Sequence, residues 1–295
     1  ARGLLLYHGT STGRWAGRLI QPQNFPRPDI YDVEPYIDLV KARDYEALLA
    51  TGTPVPVLVS SLLRSMFCAP EGRTFMCADY SQVEARVLAW IAGQDDLVEL
   101  FASGGKVYET MGAYIFGKEV EEISKDSFER QIGKNSVLGA GFQMGADRFA
   151  EQVREQTGIV LDRGDDGERP DLAAQAITGY RKLYSAIPQF WRDIEATAIK
   201  AVRNPGKAYN VGASPTPIKF LRAGGFLWCQ LPSGRRLAYA KPEIRERALP
   251  KPYQHVKREG LSFLGVDSMT NQWRRHHTYG GHLTENVVQA MARDL

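Results

Sequence analysis

The sequence predicts an α+β protein in which a strand-containing unit is interrupted by a long helical insertion. Apolar residues recur at helical spacing through most of residues 83–202. After Gly224 the pattern changes to short β-prone runs on either side of a Pro232-Ser233-Gly234 turn. A further short apolar run, residues 74–78, precedes the helices and follows the turn-forming Pro70, Glu71 and Gly72.

Taken in order, residues 1–30 are rich in Gly, Pro, Arg and Asn and read as extended or turn structure. Residues 36–50 and 57–66 read as helices, and 74–78 as a strand. Val83, Val87, Trp90 and Ile91 fit one helical face, and further helices are expected over 108–116, 127–149 and 172–202. Residues 226–231 and 235–240 form the arms of an expected hairpin, and a last helix begins near His282.

Composition narrows the function classes. The 295 residues are 43% hydrophobic and 24% charged, the profile of a soluble globular chain. No run approaches a membrane span, and the apolar stretch in the opening ten residues is too short for a signal peptide, so no membrane partner and a cytoplasmic setting are expected. Cys68, Cys77 and Cys229 are odd in number without C-x-x-C spacing, and read as small buried hydrophobes rather than disulfides or zinc ligands. A net charge of +3 permits a polyanionic partner without requiring one.

Asp79 lies where the expected strand turns into a helix, a common position for active-site groups. Two readings are open there. Asp79 or Ser81 can cap the helix, with Ser81 and Glu84 spaced as a capping box, or Asp79 is a functional carboxylate. The string MCADYSQVEARVLAWIAG resembles motif A of the family A (DNA polymerase I-like) DNA polymerases, D-Y-S-x-x-E-x-R, matching at Asp79, Tyr80, Ser81, Glu84 and Arg86. The resemblance implies that Asp79 ligates two magnesium ions together with the Tyr80 carbonyl. It further implies that Tyr80, Ser81, Gln82 and Glu84 belong to the nucleotide-binding surface, with Glu84 beneath the sugar of the incoming nucleotide. Mg²⁺ suits such hard oxygen ligation and needs few protein carboxylates.

Farther along, Arg130, Lys134, Leu138 and Phe142 recur every four residues and form one slowly drifting stripe. Spacing alone leaves open a solvated basic patch running into a core stripe. Gly133, Gly139 and Gly141 each cost roughly 0.5–1 kcal/mol in a helix interior, which points to close approach of another backbone or of a nucleotide. The pattern resembles motif B, R-x-x-x-K-x-x-x-[FY]-G-x-x-Y, on the fingers helix of the same family. By that resemblance Arg130 and Lys134 grip the triphosphate, Lys134 donates a proton to the leaving pyrophosphate, and Leu138 and Phe142 flank the nucleotide. The chain departs from the motif at Leu138 and Phe142, where the family carries an aromatic and a tyrosine. The fingers histidine is also replaced, with Tyr108 the candidate in its region.

The segment STGRWAGRLIQPQNFPR resembles the family's thumb-to-palm lead, which implies that Arg14, Gln23 and Asn24 face the primer-template minor groove. The segment GGHLTENVVQAMARDL resembles the helix before motif C and implies a DNA contact at Gln289; Asp294 belongs to that helix and is not the motif C aspartate. Residues 180–191 and LPSGRRLAY are similar to phage and prophage members. The resemblance implies a right-hand polymerase fold: thumb junction and palm over 1–92, helical fingers over 93–224, and palm again over 225–295. The implied activity is DNA synthesis from dNTP on primer-template DNA by a monomer with two Mg²⁺ ions. Because motif C and its aspartate would follow downstream, the 295 residues alone are expected to extend no primer. The alternatives are a single-subunit RNA polymerase, disfavoured by the bulk of Glu84, and a non-catalytic nucleic-acid-binding remnant.

Overall fold

The structure, a computed structural model, describes residues 3–164, 171–213, 215, 217–248, 255–267 and 270–295. It forms two compact units, Ala1–Tyr80 and Ser81–Leu295.

The first unit opens with a two-stranded antiparallel ribbon, β1 (Leu5–Leu6) and β2 (Ala16–Gly17), closed by a turn in which the Arg14 carbonyl accepts from the amides of Gly9 and Thr10. Three short helices follow: α1 (Glu34–Ala42), α2 (Tyr45–Ala50) and α3 (Val55–Leu62). The single helix expected over 36–50 is broken, because Arg43 turns left-handed at φ 56° and Asp44 restarts the chain as an N-cap, accepting from the Ala47 amide at 3.0 Å. Leu48, Leu58 and Leu62 form a small core with Ile30, Tyr36 and Ile37 packed on it. The buried Ser61 hydroxyl accepts from the amides of Asp29 and Ile30 at 3.2 and 3.3 Å, which ties the extended entry segment to α3.

Two expectations fail in this unit. Residues 74–78 form no strand, and Phe75 and Met76 are exposed. A strand exists only by pairing, and the two strands of this unit pair with each other, so apolar composition had nothing to complete it. Cys68 and Cys77 are exposed rather than buried, since both fall in the irregular stretch after α3; only Cys229, in the second unit, is buried as expected.

Among the described residues the second unit begins with seven α-helices: α4 (Val83–Ala92), α5 (Asp95–Ala102), α6 (Val107–Phe116), α7 (Phe128–Gly139), α8 (Ala146–Thr157), α9 (Leu172–Leu183) and α10 (Ala186–Arg203). An antiparallel meander follows, β3 (Ala208–Val211), β4 (Ile218–Ala223), β5 (Phe226–Gln230), β6 (Arg236–Ala248), β7 (Lys257–Val266) and β8 (Trp273–Thr278), in which spatial order equals chain order. The last helix, α11 (Gly280–Asp294), returns to pack on α4 and α10, and α10 also lies against the sheet. One continuous core joins Leu88 and Ile91 of α4, Ile132 of α7, Trp191 and Ile194 of α10, Leu227 of β5 and Val287 of α11.

The expected hairpin is β5–β6, paired from Phe226↔Ala240 to Gln230↔Arg236. β6 continues past it through a register shift between Ala240 and Glu243. The residue between Lys241 and Glu243 is Pro242, which has no amide to give the ladder, so the irregularity absorbs it without an orphaned partner. The long helices expected over 127–149 and 172–202 are each two helices. The first breaks where Gln143 turns left-handed at φ 66°, the second at Tyr184 and Ser185. Pro188 falls in the first turn of α10, where a missing amide costs no intrahelical bond.

Backbone contact explains Gly112 of α6 and Gly133 of α7, whereas Gly139 and Gly141 face side chains, Gln152 and Met144 for the first and Leu88 and Tyr180 for the second. A Cβ on Gly133 would overlap the Tyr108 carbonyl oxygen and stand 2.6 Å from the Gly112 nitrogen; one on Gly112 would stand 2.6 Å from the Glu129 oxygen. The two helices therefore touch main chain to main chain. Gly133→Ala should destabilise the protein by about 1–3 kcal/mol, although alanine is the better helix former by about 0.5–1 kcal/mol. Urea denaturation checks this: an unchanged or raised midpoint would mean that α6 and α7 are farther apart.

Candidate functional site

Asp79 and Tyr80 close the first unit in an irregular, exposed stretch. No hydrogen bond or ion pair holds the Asp79 carboxylate among the described residues. Arg14, Gln23 and Asn24 are exposed in the same unit. The Arg14 amide is held by the Thr10 hydroxyl at 3.0 Å, and Asn24 donates to Gln21 at 2.7 Å in a single 3₁₀ turn, Pro22–Asn24.

In the second unit α4 starts without a side-chain cap. Its N-cap is Gln82, left-handed at φ 54°, so neither Ser81 nor Asp79 performs the capping that their spacing allowed. Ser81 is exposed and Glu84 half-buried in the first turn. Arg86 has a role that sequence reading did not assign. Its Nε donates to the Ser81 carbonyl at 3.0 Å, another nitrogen donates to the Phe101 carbonyl at 3.3 Å, and the guanidinium lies over the Phe101 ring. It thereby holds the start of α4 against the end of α5.

On α7 the expected stripe is real as far as the helix runs. Ser127 caps the helix by accepting from the Arg130 amide at 3.2 Å. Ile132, Gly133, Asn135, Ser136 and Val137 are buried, while Lys134 and Leu138 face solvent, Leu138 at 45% exposure. Leu138 is thus outside the core, where the basic-patch alternative would have it buried, whereas Phe142 packs against the core. Phe142 lies past the helix end in a 3₁₀ turn, Ala140–Phe142, and is half-buried.

Two cations on this stripe differ in electrostatics. Arg130 donates to Glu109 at 2.6 Å and lies 5.5 Å above the Tyr108 ring. Burial alone would raise the Glu109 carboxyl. The Arg130 hydrogen bond, a backbone bond and the nearby positive charges outweigh it, and the carboxyl is held below the usual range. Arg130 is therefore largely neutralised by its partner. Lys134, by contrast, has no carboxylate partner among the described residues and carries the stripe's uncompensated charge. Sequence reading missed Glu109 because its pairing with Arg130 depends on the α6–α7 contact.

The turn after α7 is fixed from two sides. Trp191 Nε1 donates to the Gly141 carbonyl at 2.9 Å, and the Gln143 side-chain oxygen accepts from the Gly281 amide at 2.9 Å. Gly281 meets the Phe142 carbonyl so closely that a side chain there would collide. On α11, Gln289 is half-buried and donates to Glu285 at 3.1 Å, and burial pushes the Glu285 carboxyl up. Asp294 accepts from Arg235 at 2.8 Å and from Ser233 at 2.6 Å, pinning the end of α11 to the β5–β6 turn. No group of three or more His, Cys, Asp or Glu able to hold a metal ion occurs among the described residues.

The Glu109–Arg130 pair has a pH signature. A depressed carboxyl contributes stability that is fully present above the unfolded value of about 4.5 and is lost as pH falls through the folded value. Glu109→Gln should therefore destabilise the protein at neutral pH, with the difference from wild type shrinking below about pH 4.5. Denaturant titrations from about pH 6 to pH 3 measure this, and a pH-independent difference would mean that the pair is not formed.

Residues 8–204 match the family model described as DNA polymerase family A. The chain is 41% identical over 298 residues to a DNA polymerase of Bacillus phage SP02, covering 99% of this chain and 42% of the relative. It is 27% identical over 235 residues to a DNA polymerase of Mycobacterium phage D29, covering 79% and 35%. A DNA polymerase I of Pseudomonas aeruginosa is 28% identical over 145 residues, covering 44% and 16%. The chain thus spans less than half the length of these relatives. With motifs A and B both inside the matched span, the chain belongs to DNA polymerase family A.

Proposed function

We propose that this chain carries the nucleotide-handling part of a template-directed DNA polymerase, with thumb junction and palm over residues 1–92, fingers over 93–224 and palm again over 225–295. The reaction is attack of a primer 3′-hydroxyl on the α-phosphorus of a dNTP. The new phosphodiester forms as the bond to pyrophosphate breaks, and the hydroxyl proton is lost. The observation that carries the reading is the exposed face of α7, where Lys134 and Leu138 stand in solvent beside a locked Arg130. An uncompensated lysine beside a braced arginine suits a triphosphate, whose charge grows on the leaving side during transfer.

In this reading Lys134 contacts the leaving phosphates and protonates the pyrophosphate oxygen, while Arg130 positions the triphosphate. Tyr80, Ser81, Gln82 and Glu84 line the nucleotide, with Glu84 beneath the sugar, Leu138 near that sugar and Phe142 near the templating base. Arg14, Gln23, Asn24 and Gln289 contact the primer-template. Magnesium prefers hard oxygen donors and takes few from protein. The exposed Asp79 carboxylate and Tyr80 carbonyl fit it chemically and would supply part of its coordination, with phosphates and water supplying the rest. Two such ions would activate the attacking oxygen and neutralise the leaving one.

Lys134→Ala, in the polymerase at its full natural length, should slow single-nucleotide incorporation by about 100-fold or more while primer-template affinity changes far less. A loss confined to DNA affinity would return Lys134 to the role of a solvated basic group. Glu84→Ala should raise the use of ribonucleotides relative to deoxynucleotides, because it removes the group that meets a 2′-hydroxyl. The ratio is read from competing single-nucleotide extensions, and an unchanged ratio would remove Glu84 from the sugar site.

A further inference from the structure

At the turn that follows Phe142, elements α9, α10 and β7 line a cavity of about 190 Å³ to which the proposed function assigns no role. Its wall includes Gln143, Arg181, Trp191, Arg192, Glu195 and Arg258. Three guanidinium groups from three elements thus face a single carboxylate. Glu195 is committed: one oxygen accepts from Arg258 at 2.8 Å and the other from the Gly280 amide at 3.1 Å. Arg192 is steadied by the Gln189 side-chain oxygen at 2.6 and 3.2 Å and has no carboxylate partner among the described residues. Arg181 donates to the Met144 carbonyl at 2.9 Å and stacks 5.7 Å from the Trp191 ring. Its Nε is a buried donor without a partner among the described residues. Such donors are rare, because burying one without an acceptor opposes folding.

Charge and unmet donors call for an anion with several oxygens. Size narrows it further. Pockets for whole small molecules run to about 300–1,000 Å³, so this one accepts a phosphate group and not a nucleoside. Trp191 is only 4% exposed, which leaves no ring face on which a base could stack.

We propose that this cavity binds a backbone phosphate of single-stranded DNA, on the unpaired template strand next to the templating base. The proposal rests on the polymerase reading, in which Phe142 lies near the templating base; Gln143, its neighbour in the chain, lines the cavity. Burial pulls the Arg181 guanidinium below its ordinary range, and a bound phosphate offsets that cost.

The test is binding of fluorescent primer-template hairpins, blunt or with a 5′ template overhang, by the polymerase at its full natural length. Arg192→Ala should weaken overhang binding about 5-fold and leave the blunt hairpin unchanged, with Arg192→Lys keeping most of the affinity. The slope of log affinity against log salt should fall by about 0.7 for one lost single-strand contact. A neutral methylphosphonate at one overhang position should reproduce the loss in wild type and add nothing in Arg192→Ala. Three outcomes overturn the proposal: an equal loss on the blunt hairpin, no sensitive methylphosphonate position in wild type, or equal displacement of both hairpins by inorganic phosphate. Blunt binding without an overhang effect sinks the cavity alone, whereas binding to neither hairpin sinks the polymerase reading with it.

Discussion

The second unit depends on the main-chain contact between α6 and α7. Only glycine at positions 112 and 133 lets the two backbones meet, and that approach determines what their side chains can do. It brings Glu109 to Arg130 and places Tyr108 under the guanidinium. The rigid edge this creates leaves Lys134, one turn on, as the charge not already answered by a partner. Stability and electrostatics here share one cause: a Cβ at Gly133 would push the helices apart and loosen the arginine with them.

A second constraint acts at the far end of α7. Two hydrogen bonds from distant parts of the chain, Trp191 to Gly141 and Gly281 to Gln143, hold a turn that contains a left-handed glutamine. The conformation is costly for a residue with a Cβ and persists because its surroundings fix it. Phe142 inherits its position from that bracing. The end of α7 and the turn bearing Phe142 are thus tied to α10 and α11.

Much of this was legible in the sequence, for a physical reason. Helices with a periodic apolar face, α4, α6 and most of α7, announce themselves because burial of one stripe is a local pattern. The β5–β6 hairpin was visible from its turn residues. β7 and β8 were not, because residues such as Lys257, Arg258, Arg274 and Arg275 give them a charged pattern that reads as loop. The breaks at Arg43 and Gln143 were hidden because neither residue favours a positive φ; a local helix-end turn sets it at Arg43, and the distant Gly281 helps hold it at Gln143. Residues 74–78 erred in the opposite direction, since strand-like composition cannot supply a partner strand. At the candidate site the residue types and their spacing were legible. The pairing of Arg130 with Glu109 and the work of Arg86 and Trp191 were not, since each is a contact made by packing.

The placement of α11 bears on how the second unit is assembled. Its last helix packs on its first, so the core shared by Leu88, Ile91 and Val287 is completed only when residues about 200 apart in the chain meet. The meander before it, in contrast, pairs only neighbours in sequence and forms from local contacts. The α4–α11 contact closes a far longer loop than any strand pair of the meander, and its larger entropic cost is offset by burial of the apolar face of α11.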